Sequence, residues 1–262
     1  MKIHRINALV IRHLYLFKRS LPRLLDILFW PVVTLLTWGF LTVYLQGISF
    51  NNVNIVSVLL GAIILWELLQ RMQGAVAITF LEDVWERNFL NLFVTPLTIA
   101  EFLASTVILG IIRLAGVLLV VSVLSILLYH YSIFSLGFYF LPFLAVLMMF
   151  GFAMGLFNMA IILRFGTSAQ ILAFGLIFLV QPFSAVFYPV SALPESLQFI
   201  AYILPSTYVF EGMREVINTG TLPLALLTKG LILGFLYMTA MIFFFYKMFA
   251  YVKREGRLLK LD

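Results

Sequence analysis

The chain has 262 residues, 63% of them hydrophobic and only 11% charged, with a net charge of +6. Soluble domains balance about 45–50% apolar residues with about 25% charged ones, so this composition excludes a water-soluble globule and predicts one polytopic membrane domain over residues 1–262. The absence of cysteine excludes disulfides and thiolate metal sites, and His4, His13 and His130 lack the spacing of metal ligands.

Charge placement comes next. Lys2, Arg5, Arg12, Lys18, Arg19 and Arg23 precede the first apolar run, while Lys247, Lys253, Arg254, Arg257 and Lys260 sit at or after the last. This is the positive-inside pattern; it predicts both termini in the cytoplasm and accounts for the basic balance without nucleic acid. Residues 1–24 read as a basic interface helix, with Ile6, Leu9, Leu14 and Phe17 interleaved among Arg5, Arg12, Lys18 and Arg19. A plain basic tail that fixes topology is the alternative. No small-residue cleavage site follows a short apolar core, so the segment is expected to be retained.

The first span is expected at about 27–45, with Pro31 in its first turns, where a missing N–H is tolerated. Residues 46–54 carry no Lys or Arg and read as an external loop before a second span at 55–79. Residues 80–96 then show helical periodicity with mixed polarity: Leu81, Trp85, Phe89 and Leu92 on one face, Glu82, Asp83, Glu86, Arg87 and Asn91 over much of the other, and Pro96 as terminator. Further spans are expected at 100–127, 136–163 and 168–187. The stretch 189–222 holds a helix between Pro194 and Pro205 too short to cross, and a second helix with Glu211, Arg214 and Glu215. Pro223 opens the last span, at 224–251, which ends in an aromatic belt. The fold expected is all-α: six transmembrane helices, both termini cytoplasmic, an amphipathic N-terminal interface helix, and short re-entrant external helices before the last span.

Charges inside spans each cost about 2.5–3.5 kcal/mol unless paired or hydrated, which singles out Glu67, Gln70 and Arg71 in the second span and Arg113 in the third, the latter a candidate partner for Glu67. Such residues neutralise one another or meet a transported molecule. Gly151 and Gly155 have the spacing of close helix packing. No HExxH, GxSxG or clustered Ser/His/Asp motif supports catalysis. No Gly-Lys dipeptide occurs either, so a phosphate-cradling GxxxxGK[ST] loop is missing, and any ATP must be bound by another chain.

Two segments resemble the membrane subunits of type 2 ABC exporters: Phe80 to Ser105, with Thr95-Pro96-Leu97 and Glu101, and Phe187 to Glu215, with Leu204-Pro205, Tyr208 and the Glu211 to Arg214 pair. The likeness is greater to exporters of drugs or lipo-oligosaccharides than of polysaccharides. The resemblance implies that 80–96 is a cytoplasmic coupling helix, with Glu82, Asp83, Trp85, Glu86, Arg87 and Phe89 transmitting movement from a separate ABC ATPase that carries ATP and Mg. It implies that 189–222 closes the outer end of the pathway, shaped by Pro189, Pro194 and Pro205 and braced by Glu211, Arg214 and Glu215. It also implies a second permease subunit, identical or related, in a bacterial-type inner membrane. Two other readings stay open: an ion-coupled secondary transporter with Glu67 as proton carrier, and a membrane-embedded lipid-modifying enzyme or scaffold.

Overall fold

One helix is enclosed along most of its length, with nearly all of Leu60 to Val84 buried. In the computed structural model, which describes residues 1–48, 55–86 and 88–256, this is α3 (Ile55–Trp85). Around it lie α2 (Leu21–Ile48), α5 (Ile99–Tyr129), α6 (Phe140–Phe165), α7 (Gln170–Val180) and α9 (Pro205–Thr219). The remaining helices are α1 (Ile3–Arg19), α4 (Phe89–Val94), α8 (Glu195–Ile203) and α10 (Leu224–Arg254), and no strand occurs among the described residues. Five helical segments are long and apolar enough to cross a membrane: 27–48, 55–85, 99–129, 133–165 and 224–254.

Between apolar helices in lipid there is little hydrophobic driving force, so contact depends on how closely backbones approach. The glycines of α6 show this. A Cβ on Gly151 would stand 2.9 Å from the Leu69 carbonyl oxygen, and one on Gly155 would stand 2.6 Å from Val76 Cβ and 2.9 Å from the Gln73 carbonyl oxygen. The Gly151/Gly155 pair is therefore a packing surface for α3. From the other side Gly110 of α5 admits Met72 and Ala75. Rising residue numbers meet along α3 and α6 (Leu69 with Gly151, Val76 with Gly155) and along α6 and α10 (Val146 with Gly230, Phe157 with Phe244). These three helices therefore run in one direction and end together.

The structure departs from the expected elements at four places. The segment 80–96 is not one helix: α3 runs on through Leu81 to Trp85, and only the six residues of α4 follow. The expected face of Leu81, Trp85, Phe89 and Leu92 is accordingly split, with Leu81 buried and Trp85 exposed. The expected span 168–187 contains an α-helix of 11 residues, continued by 3₁₀ turns at Gly166–Ala169 and Gln181–Ser184. Pro182 has no N–H to continue the α-helical ladder, which explains the change of helix type. Pro31 lies in the interior of α2, because the helix starts at Leu21, so the Ile27 carbonyl loses its usual donor there. Finally, the buried stripe of α1 is Ile6, Leu9, Val10, His13 and Phe17, while Leu14 is exposed. Of the expected external loop, residues 49–54 lie outside the described residues, as do Arg257 and Lys260.

The α3–α6 contact generates a direct test. Gly155→Ala places a methyl group where the α3 backbone leaves no room, and thermal unfolding of the full chain in detergent should show a loss of about 1–3 kcal/mol. Gly175→Ala, whose Cβ meets nothing within 4 Å, should leave stability unchanged or slightly raised.

Candidate functional site

The last turn of α3 carries Glu82 and Asp83, with Glu86 just beyond it, and guanidinium groups from three other helices reach them. Arg12 of α1 donates from Nη2 to Asp83 Oδ1 at 2.7 Å and lies 3.7 Å from Glu86 Oε2. Arg23 of α2 lies 3.7 Å from Glu82 Oε1 and donates to Glu86 Oε1. Arg113 of α5 lies 3.9 Å from Glu82 Oε2, with its guanidinium 4.3 Å from the Phe17 ring centroid. Three carboxylates and three guanidinium groups thus join α1, α2, α3 and α5 in one junction.

The pairs differ in strength. Asp83 has a side chain 1% exposed, so stripping it of Arg12 strands a buried carboxylate at a cost of about 3–5 kcal/mol. Glu86, with 37% of its side chain exposed, forms pairs worth about 1 kcal/mol or less. The Arg12–Asp83 contact therefore does most to hold α1 against α3. A second tether joins the chain start to α5: Thr98 and Glu101 form a capping box, and Glu101 also accepts from the Lys2 backbone N–H at 2.7 Å and pairs with Arg5 at 3.5 Å. Arg5 further donates to the Pro96 carbonyl. Between these tethers α1 leans along α5, with Ile6 and Val10 packed on Leu109.

Arg113 does not partner Glu67. It reaches Glu82, which lies about 22 Å further along α3 than Glu67. Glu67, 2% exposed, instead faces Arg71 at 3.5 Å and the Thr34 hydroxyl of α2. Gln70 is half-buried beside Arg71. Arg87 lies outside the described residues, as does the side chain of Phe89; Trp85 is exposed at the edge of the junction.

At the opposite end, α9 closes on the loop that follows α7. Glu211 Oε1 accepts from the Val190 N–H at 2.7 Å and from Arg214 at 3.0 Å. Arg214 also donates to the Ala185 carbonyl at 2.8 Å and the Val186 carbonyl at 3.3 Å. Ser184 and Ser206 share a buried hydroxyl contact of 2.8 Å. Pro194 caps α8, Pro205 opens α9, and Pro189 precedes the short 3₁₀ turn at Val190–Ala192. Glu215 is exposed and does not join this latch.

The sequence reading passed over Arg12, Arg23 and His13 as site residues, treating the first two as topology charges. The available signal was His13, which interrupts an apolar stripe four residues after Leu9 and four before Phe17. Its imidazole is buried among arginines, with Nε2 3.8 Å from Asp83 Oδ2. Burial, then the charges of Arg12, Arg113 and Arg23, lower its pKa from 6.5 to about 3. A histidine kept neutral by the fold stabilises α1 docking fully above about pH 6.5, and that contribution is lost as pH falls toward 3. Hydrogen exchange of α1 amides in the full chain, corrected for intrinsic rates, should show about 2 kcal/mol less protection near pH 5 than near pH 7. The His13→Gln variant should lack most of that pH dependence.

Comparison with known families adds identity to this geometry. A family model described as ABC-2 type transporter matches residues 4–218, a range that includes α1, the junction and the α9 latch. No curated protein matches the chain. With five helices of membrane-crossing length, the chain is a multi-pass membrane permease component, and it belongs to the ABC-2 type transporter family.

Proposed function

We propose that this chain is the permease subunit of an ATP-driven exporter in a bacterial-type inner membrane, working with a separate ABC ATPase that holds ATP and Mg. The observation that carries the proposal is the junction at the end of α3. One element, 82–86, is ion-paired to the middle of α1, the start of α2 and α5, while Trp85 and Glu86 remain open to a partner. Within the coupling set, Trp85, Glu86, Arg87 and Phe89 meet the ATPase, and Glu82 and Asp83 pass its movement into the other helices. ATP binding then shifts the population between inward-open and outward-open states, which requires the ATPase to contact this segment differently in the two.

In this reading both termini are cytoplasmic, in keeping with the excess of Lys and Arg at the two ends. The chain makes six crossings. α6 ends beside the junction and α10 starts at the far end, so residues 166–223 must return the chain, and α7 with its 3₁₀ turns makes that pass. α8 and α9 form the re-entrant external segment, where Pro189, Pro194 and Pro205 bend the backbone, Glu211 and Arg214 latch the outer gate, and Glu215 faces outward. The exposed apolar faces of α2 and α5 meet lipid or a second permease, identical or related. The substrate is lipid-like, drug-like or glycan-containing. Members of this family are generally non-catalytic transport components, which supports placing ATP hydrolysis on the partner. Arg71 beside Glu67 favours structural neutralisation over a proton-carrying role.

Mild-detergent purification of the tagged chain from its native host should retain a near-stoichiometric protein with a GxxxxGK[ST] loop. The double variant Trp85→Ala, Glu86→Lys should reduce its recovery about tenfold while membrane insertion is unchanged. Absence of such an ATPase, under conditions that preserve other membrane complexes, contradicts the proposal.

A further inference from the structure

Arg164 at the end of α6 and Lys247 and Arg254 near the end of α10 line an open groove of about 500 Å³, floored by Phe244, Met248 and Tyr251. The groove has no carboxylate in its lining, and among the described residues none of its three cations lies within 4.0 Å of one. The arginines of the junction and of the second tether contrast with these, since Arg12, Arg23 and Arg113, and likewise Arg5, all face carboxylates. Aromatic rings hold two of the three groove cations, Arg164 and Lys247, instead. The Arg164 guanidinium lies 5.4 Å from the Phe165 ring centroid and 5.5 Å from that of Tyr251, and the Lys247 ammonium lies 4.5 Å from that of Phe243. A ring positions a cation through its quadrupole without cancelling its charge, so the N–H donors stay available to an anion.

Depth identifies the anion. Gly155 packs against Val76, and Arg164 and Trp85 each lie nine residues beyond that contact, so the groove stands level with the charged junction. Lys247 is about 35 Å along α10 from Leu224, beyond the roughly 30 Å of a hydrocarbon layer. The cations therefore sit at headgroup level, and Phe244, about one turn before Met248 on α10, reaches the acyl chains first. We propose that this groove binds an anionic phospholipid, with its phosphate held by Arg164, Lys247 and Arg254 and a chain lying along Phe244 and Met248, clamping α6 to α10.

The test is binding to the full chain in a neutral detergent, using dioleoyl-phosphatidylglycerol, dioleoyl-phosphatidylcholine and sn-glycerol 3-phosphate as probes, read by native mass spectrometry and thermal shift. The phosphatidylglycerol should bind in preference to the other two. Each charge removed should weaken it about fivefold, and the triple variant Arg164→Gln, Lys247→Gln, Arg254→Gln on the order of a hundredfold. Lys247→Gln alone, at an exposed side chain, gives the fivefold reading should the triple variant fail to fold. The charge-preserving pair Arg164→Lys, Arg254→Lys should retain the preference, and Lys229→Gln near the other end of α10 should have no effect. Equal binding of phosphatidylcholine, an unchanged affinity in the charge-removal variants, or glycerol phosphate binding as tightly as the lipid overturns the proposal.

Discussion

Three carboxylates within five residues, Glu82, Asp83 and Glu86, end the most enclosed helix of the bundle, and carboxylates cannot be left there uncompensated. Arginines must come to them from other elements, and they come from three: Arg12, Arg23 and Arg113. That requirement fixes where α1 leans, where α2 starts and which face of α5 turns inward. Above this layer the constraint changes to backbone approach, with Gly110, Gly151 and Gly155 letting α5 and α6 close on α3. The bundle is thus tied electrostatically at one end and by close packing along its length, while the Glu211–Arg214 latch secures the loop at the other end.

Such a division suits a device that must change shape. Packed apolar helices shift as rigid bodies, and a charged junction joining several helices converts movement at one segment into movement of all of them. The partition within 82–86 follows from exposure alone: Asp83 is sequestered and Trp85 is open. In the proposed function the sequestered acid belongs to transmission and the open aromatic to docking, so one short segment serves both without a separate long coupling helix.

Much of this was legible in the sequence, for physical reasons that can be named. Long apolar runs and the basic ends gave the helices at 99–129 and 224–254 to within a few residues, and the start though not the end of the one at 55–85, because nothing else accommodates such runs. Gly151 and Gly155 were read correctly as a packing pair, since their spacing places both on one face. The helix after residue 168 was not legible, because apolarity alone does not reveal that Pro182 stops the α-helical ladder early. Nor was the pairing. Periodicity shows that Glu82 and Asp83 occupy a polar face but not that the face turns inward toward Arg23 and Arg12, 59 and 71 positions away in the chain. Arg113 was a candidate partner for Glu67 because both are charges within apolar runs, yet it reaches Glu82, about 22 Å further along α3.

The most direct test of the central claim exploits a chain without cysteine. A single Trp85→Cys substitution, joined by a short thiol-to-amine crosslinker to whatever docks at the junction, reports contact at one atom position. The account predicts a crosslink from Cys at position 85 to a subunit with a GxxxxGK[ST] loop, in a yield that changes when a non-hydrolysable ATP analogue is added. A crosslink that is indifferent to nucleotide, or one that forms from Glu215→Cys and never from position 85, would contradict it.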